Sequence, residues 1–212
     1  MKITFATVGP FAENTYLVDD GHGNGVLVDP GDEAERLISL VETSGVTLHA
    51  IWLTHAHLDH IGGIAGVKRR WNVPVYMHPA DAPVFAFGAR SAAAYGVPFE
   101  QPAPPDKTLA DGDTLRVGNT EFTVWHVPGH APGHVIFLAD GVMLGGDLVF
   151  AGSIGRVDLP LSDPRAMQRS LDRLSSLPDE TVVYPGHGPA TTLARERETN
   201  PFLAGVARVL VR

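Results

Sequence analysis

The chain has 212 residues, 44% hydrophobic and 19% charged, a composition that suits one globular domain with enough apolar mass for a sizeable core. Its formal net charge of −8 argues against a nucleic-acid or anionic-membrane surface, since no basic patch stands out to meet either. There is no cysteine, which excludes disulfides, iron–sulfur clusters and a cysteine nucleophile, so any metal must be held by His, Asp or Glu. Residues 1–11 carry one lysine and no long apolar run, so no signal peptide is expected. No stretch approaches about 18 uninterrupted apolar residues, so no membrane span is expected, and a cytoplasmic protein follows by default.

In chain order, residues 3–8, 15–18 and 25–28 read as short strands separated by Gly9-Pro10 and Asp19-Asp20-Gly21, an antiparallel meander. Residues 34–44 place Leu37, Ile38, Leu40 and Val41 on a helical face that stops at Gly45. Residues 48–53 form a buried strand, and residues 60–71 a helix that tolerates Gly62, Gly63 and Gly66. A strand at 73–77 precedes an alanine-rich helix over 81–95. Residues 99–106, with three prolines, read as an irregular flap over a site. Strands follow at 115–117, 121–127, 135–139 and 142–144. Then come an amphipathic helix over 164–177 capped by Ser162 or Asp163, a strand at 181–184, and a closing helix over 191–207 interrupted at Pro201. No linker divides the chain, so residues 1–212 form one domain. Its two halves pack sheet on sheet with helices outside, an α+β fold as a four-layer αββα sandwich.

The chemistry concentrates at Thr54-His55-Ala56-His57-Leu58-Asp59-His60, just after the strand 48–53. Four potential metal ligands fall within six positions. Three later residues sit at strand ends beside glycines: His130 in Pro128-Gly129-His130, Asp147 in Gly145-Gly146-Asp147, and His187 in Gly186-His187-Gly188. His55, His57 and His130 would bind one ion, Asp59, His60 and His187 a second, and Asp147 would bridge them. Each ion keeps a position for water, as a catalytic site requires. His22, His49, His78 and His126 match no ligand position.

This set, Thr-His-x-His-x-Asp-His, Pro-Gly-His-x-x-Gly-His, Gly-Asp and Gly-His-Gly, resembles the metallo-β-lactamase superfamily, most closely its glyoxalase II (hydroxyacylglutathione hydrolase) branch in a short bacterial form. Asn14-Thr15-Tyr16-Leu17-Val18, Val28-Asp29-Pro30-Gly31, Gly152-Ser153-Ile154-Gly155-Arg156 and residues 192–202 resemble it too, so the likeness covers nearly the whole chain. It implies the αββα sandwich, a carboxylate role for Asp29 behind the histidine loop, as against a plain turn-initiating Asp, and a basic substrate contact at Arg156. His134 reads equally as a neighbour of the site or as a structural histidine.

Two divalent ions, zinc first with iron or manganese also compatible, would acidify a bridging water to a pKa of about 7. The resulting hydroxide would attack the carbonyl of a small-molecule acyl thioester, with Asp59 orienting it. A thiolate needs little protonation to leave, because a free thiol has a pKa of about 8.5. The places of two glutathione-binding tyrosines hold Asp158 and Pro189, and further basic contacts in the family come from a C-terminal helical domain, so a partial glutathione site is expected. The competing expectations are a persulfide dioxygenase-like enzyme with one iron on His55, His130 and Asp147, and a lactonase or β-lactamase of the same fold. A nucleic-acid phosphodiesterase would need an insertion and a basic surface that the sequence lacks. Oligomeric state has no signature in the sequence.

Overall fold

The computed structural model describes residues 1–209. The first sheet contains β1 (Lys2–Val8), β2 (Glu13–Asp19), β3 (Asn24–Val28), β4 (Thr47–Trp52), β5 (Val75–Met77) and β6 (Lys107–Thr108), in that spatial order. β1 to β3 form the expected antiparallel meander, whereas β3 to β6 run parallel. Parallel neighbours need crossovers. These are α1 (Ala34–Ser44), then α2 (Leu58–Ile61) with α3 (Ile64–Arg70), then α4 (Ala82–Ala86) with α5 (Gly88–Tyr95).

The second half begins as a meander of β7 (Thr114–Val117), β8 (Thr120–His126), β9 (Val135–Ala139) and β10 (Val142–Gly146). A small hairpin of β11 (Val149–Phe150) and β12 (Ser153–Ile154) follows. The helix α6 (Pro164–Arg173) then crosses to β13 (Val182–Pro185), which pairs parallel to β10, and β14 (Thr191–Thr192) closes the edge before α7 (Leu193–Thr199).

Alternating side chains split the strands into inner and outer faces. Val26, Val28, Ala50 and Trp52 of the first sheet meet Phe122, Val124, Val135, Phe137 and Leu144 of the second. Trp52 is 2% exposed, with its ring centroid 5.3 Å from Phe122 and 5.2 Å from Phe137. Leu27 and Ile51 face outward onto Leu37 and Val41 of α1 and Ile64 and Val67 of α3. Ile136, Met143 and Val183 face Met167 and Leu171 of α6. The four layers expected from periodicity are therefore present. A register shift opposite Gly25 and Val26 leaves His49 without a ladder partner, and Leu48 turns to the helical side.

The helices depart from expectation at their ends. The single helix over 60–71 is two, α2 and α3, broken at Gly62-Gly63, where the Gly63 N–H donates to Pro30 O at 2.8 Å. The segment 81–95 is a 3₁₀ turn over Pro79–Asp81 followed by α4 and α5, which meet at Phe87. The closing helix ends at Thr199 rather than 207, because Asn200 turns its side-chain amide to Ser153 O and Glu196. Asp163, not Ser162, caps α6, accepting from the N–H groups of Arg165 and Ala166. Residues 99–106 are irregular but fastened, by Arg69 to Glu100, Lys68 to Asp106 and Gln101 to Phe85 O. No helix among the described residues is long and apolar enough to cross a membrane.

Candidate metal centre

Every proposed ligand lies at the same rim of the sandwich. β4 ends at Trp52 and releases Leu53 and Thr54, so His55 follows at the sheet edge, fully buried. His57 stands at the N-terminus of α2, whose first turn carries Asp59 and His60. From the second sheet, His130 follows β8, Asp147 follows β10 directly, and His187 follows β13. Gly146 turns the chain into Asp147 at φ +47°, and a Cβ there would lie 2.4 Å from Thr54 Oγ1 and 2.7 Å from His134 Nε2. Only glycine fits both the backbone and the space.

The ligand atoms converge in the two groups read from the sequence. His55, His57 and His130 offer donors within 4.8 Å of one another, as do Asp59, His60 and His187. The Asp147 carboxylate lies between the groups, with Oδ2 at 3.3 Å from His130 Nε2 and 3.6 Å from His187 Nε2, and Oδ1 at 3.5 Å from His60 Nε2. Asp59 Oδ2 is 3.3 Å from His187 Nε2. A third group of donors joins Asp29 to His55 and His60. There, however, Asp29 is already committed: it accepts from Thr54 N–H at 2.7 Å, Thr54 O–H at 2.6 Å and His60 Nδ1–H at 3.0 Å.

The surroundings set which ring nitrogen is free. His130 Nδ1 faces Arg156 O at 2.8 Å, His187 Nδ1 faces Phe11 O at 3.1 Å, and His60 Nδ1 faces Asp29. Each of these rings can therefore donate from Nδ1 and turn Nε2 inward, where a bound ion would take the place of the proton that Asp59 and Asp147 favour on His187 and His60. His130 Nε2 lies only 2.9 Å from His57 Nδ1, a pair of ring nitrogens aimed at one point. Buried His55 Nε2, His60 Nε2 and Asp147 Oδ1 have no hydrogen-bond partner. Buried polar atoms are rarely orphaned, and two cations, one at His55 and one at His60 with Asp147 between, would satisfy all three. The residues present therefore fit a pair of divalent ions.

The electrostatics point the same way. Burial raises the Asp147 carboxyl, but His60, His130 and His187 outweigh it and hold Asp147 ionised well below the usual carboxylate range. Asp59 behaves likewise, with His60 and His187 overcoming burial. Burial and neighbouring rings hold His55 neutral, and burial with His130 pushes His57 down to about 3. His60 moves in the opposite sense: burial lowers it, but Asp147 and Asp59 more than offset this. The carboxylates thus ask for positive charge at the place where the rings present lone pairs.

The other anticipated residues have defined places. His134 is fully buried and its Nε2 accepts the Asp147 N–H at 3.1 Å. Arg156 reaches the site through its backbone carbonyl on His130, while its guanidinium is bound by Asp158. Sequence reasoning missed several supporting groups. Ser162 O–H donates to His130 O, and Asn14 Nδ2 and Tyr16 O–H hold Pro185 and Gly188 around His187. Glu13 is buried 3.9 Å from His60 Nδ1, and burial raises its carboxyl well above the usual value. Asp81 is fully buried, and burial pushes it up to about 6 against the N–H groups of Gly133 and Ala56. Only Asn14 and Tyr16 carried a signal, as part of the family-like stretch 14–18.

The metallo-β-lactamase superfamily profile matches residues 8–187, and the chain belongs to this superfamily of metallo-hydrolases. The chain is 35% identical over 208 residues to the hydroxyacylglutathione hydrolase GloC of Haemophilus influenzae, covering 96% of this chain and 98% of that one. Among solved structures, it is similar to BLEG-1 B3 metallo-β-lactamase at a TM-score of 0.90 and 36% identity, covering 96% and 100% of the two chains. It is also similar to TTHA1623 in a di-iron-bound form at a TM-score of 0.88 and 48% identity, covering 94% and 100%.

Proposed function

We propose that the protein is a dinuclear metallohydrolase of small acyl thioesters, related in activity to hydroxyacylglutathione hydrolases. The observation that carries this reading is the placement of Asp147, whose carboxylate faces His130 on one side and His60 and His187 on the other. His55, His57 and His130 would hold one ion, Asp59, His60 and His187 the other, and Asp147 both. Bound zinc, iron or manganese supplies an acidified water and polarises a carbonyl. The chain's own groups do the rest. Asp59, ionised and beside His187, would take a hydrogen bond from the attacking water and fix its direction. Asp29 keeps His60 in a single tautomer. A thiolate leaves without a dedicated acid, which suits a site whose histidines are engaged.

A shallow, solvent-open depression adjoins Asp59 and is bordered by Phe11, Asp32, Leu58, Val97 and Phe99. A small-molecule substrate rather than nucleic acid also fits the net charge of −8. We assign the enzyme to the cytoplasm, which cell fractionation tests.

The deciding experiment is thiol release from S-lactoylglutathione by zinc-loaded protein, with metal content measured in parallel and Asp59→Ala as control. Two ions per chain and turnover lost in the control are expected. One iron per chain with persulfide oxidation instead would replace this reading by the mononuclear one on His55, His130 and Asp147. Two ions with turnover only of lactones or β-lactams would keep the centre and discard the thioester.

A further inference from the structure

Asp81 occupies the N-cap position of α4, where an aspartate ordinarily accepts from the N–H groups of its own helix. Here it makes no such bond. Its Oδ2 accepts the Ala56 N–H at 2.8 Å, and its Oδ1 accepts the Gly133 N–H at 2.5 Å. Ala56 lies between His55 and His57. Gly133 lies in the loop that begins with His130 and is closed by the Val127 N–H on His134 O. The two oxygens of one buried carboxylate therefore go to the two loops that carry the three histidines of one group.

The fold delivers Asp81 there. β5 pairs parallel to β4, with Val75 opposite Ile51 and Tyr76 opposite Trp52, so the two strands end side by side. The 3₁₀ turn Pro79–Asp81 then folds Asp81 over the end of β4. Gly133 leaves the room it needs: a Cβ there would lie 2.6 Å from Asp81 N and 2.9 Å from Asp81 Cβ and Cγ. The side chain is wholly buried, and the groups that meet its two oxygens are backbone donors in those two loops. A buried carboxylate costs free energy, and a capping role would not require this placement.

We infer that Asp81 is a positioning residue for the three-histidine ion, pinning the 54–60 loop to the 128–134 loop so that His55, His57 and His130 converge before an ion arrives. This rests on the dinuclear reading above. Asp29, by contrast, supports His60 directly and also holds Thr54, whose hydroxyl lies 3.1 Å from His55 Nδ1, so it touches both groups.

The test is Asp81→Asn, whose single carbonyl oxygen can accept only one of the two N–H groups and whose amide N–H₂ opposes the other. Metal-stripped protein is titrated with cobalt(II) alone against a competing chelator, and the shifted imidazole N–H resonances assign each ion to its histidines. In the wild type, two ions bind. In Asp81→Asn, the ion on His55, His57 and His130 should bind roughly 10- to 100-fold more weakly, as expected on losing an orienting partner, while the ion on His60 and His187 keeps its affinity. Unchanged affinity at both positions would overturn the inference, and so would equal weakening at both, which marks a general scaffold effect. A wild type that takes up no cobalt overturns the dinuclear reading and this inference with it. Should Asp81→Asn not fold, amide exchange in stripped wild-type protein decides. Protection of the Ala56 and Gly133 amides without metal supports preorganisation, and exchange at free-chain rates refutes it.

Discussion

Arg156 and Asp158 form a forked ion pair, Nε to Oδ1 at 2.7 Å and Nη2 to Oδ2 at 2.9 Å. The cation that would greet a glutathione carboxylate is thus met by the residue standing where the resemblance leads one to expect a tyrosine. Both side chains are exposed, so the pair itself adds little to stability. On the proposed function its effect would fall on recognition, because a substrate carboxylate would have to compete for a guanidinium that already has a fork–fork partner.

Replacing Asp158 with Ala should therefore lower the KM for S-lactoylglutathione about threefold to tenfold and leave kcat within about twofold, since an interaction made equally in ground and transition states changes KM alone. An uncharged thioester should show no change. Steady-state kinetics on the two substrates reads both, and an equal effect on both would remove Arg156 from substrate recognition.

Asp29 gives a second expectation. It accepts three hydrogen bonds, two from Thr54 and one from His60. In Asp29→Asn, at least one of these donors meets an amide N–H₂. The ion on Asp59, His60 and His187 should bind about 10- to 100-fold more weakly, and the three-histidine ion should weaken too, because Thr54 holds His55 Nδ1 at 3.1 Å. Competition with a chelator, read by isothermal titration, checks this. Unchanged affinity of the ion on Asp59, His60 and His187 would contradict this role of Asp29.

The pH dependence of the metal-free protein offers a third. Asp81 is raised to about 6 by burial, whereas an unfolded aspartate titrates near 3.8. Between those values the native chain holds a proton that the unfolded chain has released. The contribution of Asp81 to stability is thus fully present below about pH 3.8 and is lost as pH rises through about 6. From pH 5 to pH 7, the unfolding free energy of the wild type should fall by about 1 kcal/mol relative to Asp81→Asn. Urea denaturation of both proteins at the two pH values measures it, and a difference that grows in favour of the wild type would contradict the shift.

Much of the centre could be read from the sequence because its densest part is local. Four candidate ligands fall between His55 and His60, and His130, Asp147 and His187 each announce themselves by a neighbouring glycine after a strand pattern. The four layers were legible because Leu27 and Ile51 alternate with Val26, Val28 and Trp52 along β3 and β4. What escaped was set by distant partners. Asp81 binds N–H groups 25 and 52 residues away, and every residue but proline has such a donor, so no side-chain pattern marks them. The break at Gly62-Gly63 was underweighted as a helical tolerance, although the turn after Asp29 was there to receive the freed N–H. The stop at Asn200 likewise depends on carbonyls of the β11–β12 hairpin, nearly fifty residues earlier.

The two ion positions draw on both halves of the chain alike. His55 and His57 come from the first half and His130 from the second; Asp59 and His60 come from the first and His187 from the second. Neither position would draw all its donors from one half, so a bound ion would add a stitch at the rim of two sheets already packed through Trp52, Phe122 and Phe137. Metal concentration then enters the folding equilibrium by mass action, and each thousandfold excess over the dissociation constant adds about 4 kcal/mol against separation of the halves. The centre would in this sense be a fastener whose grip is set by the metal supply around the protein.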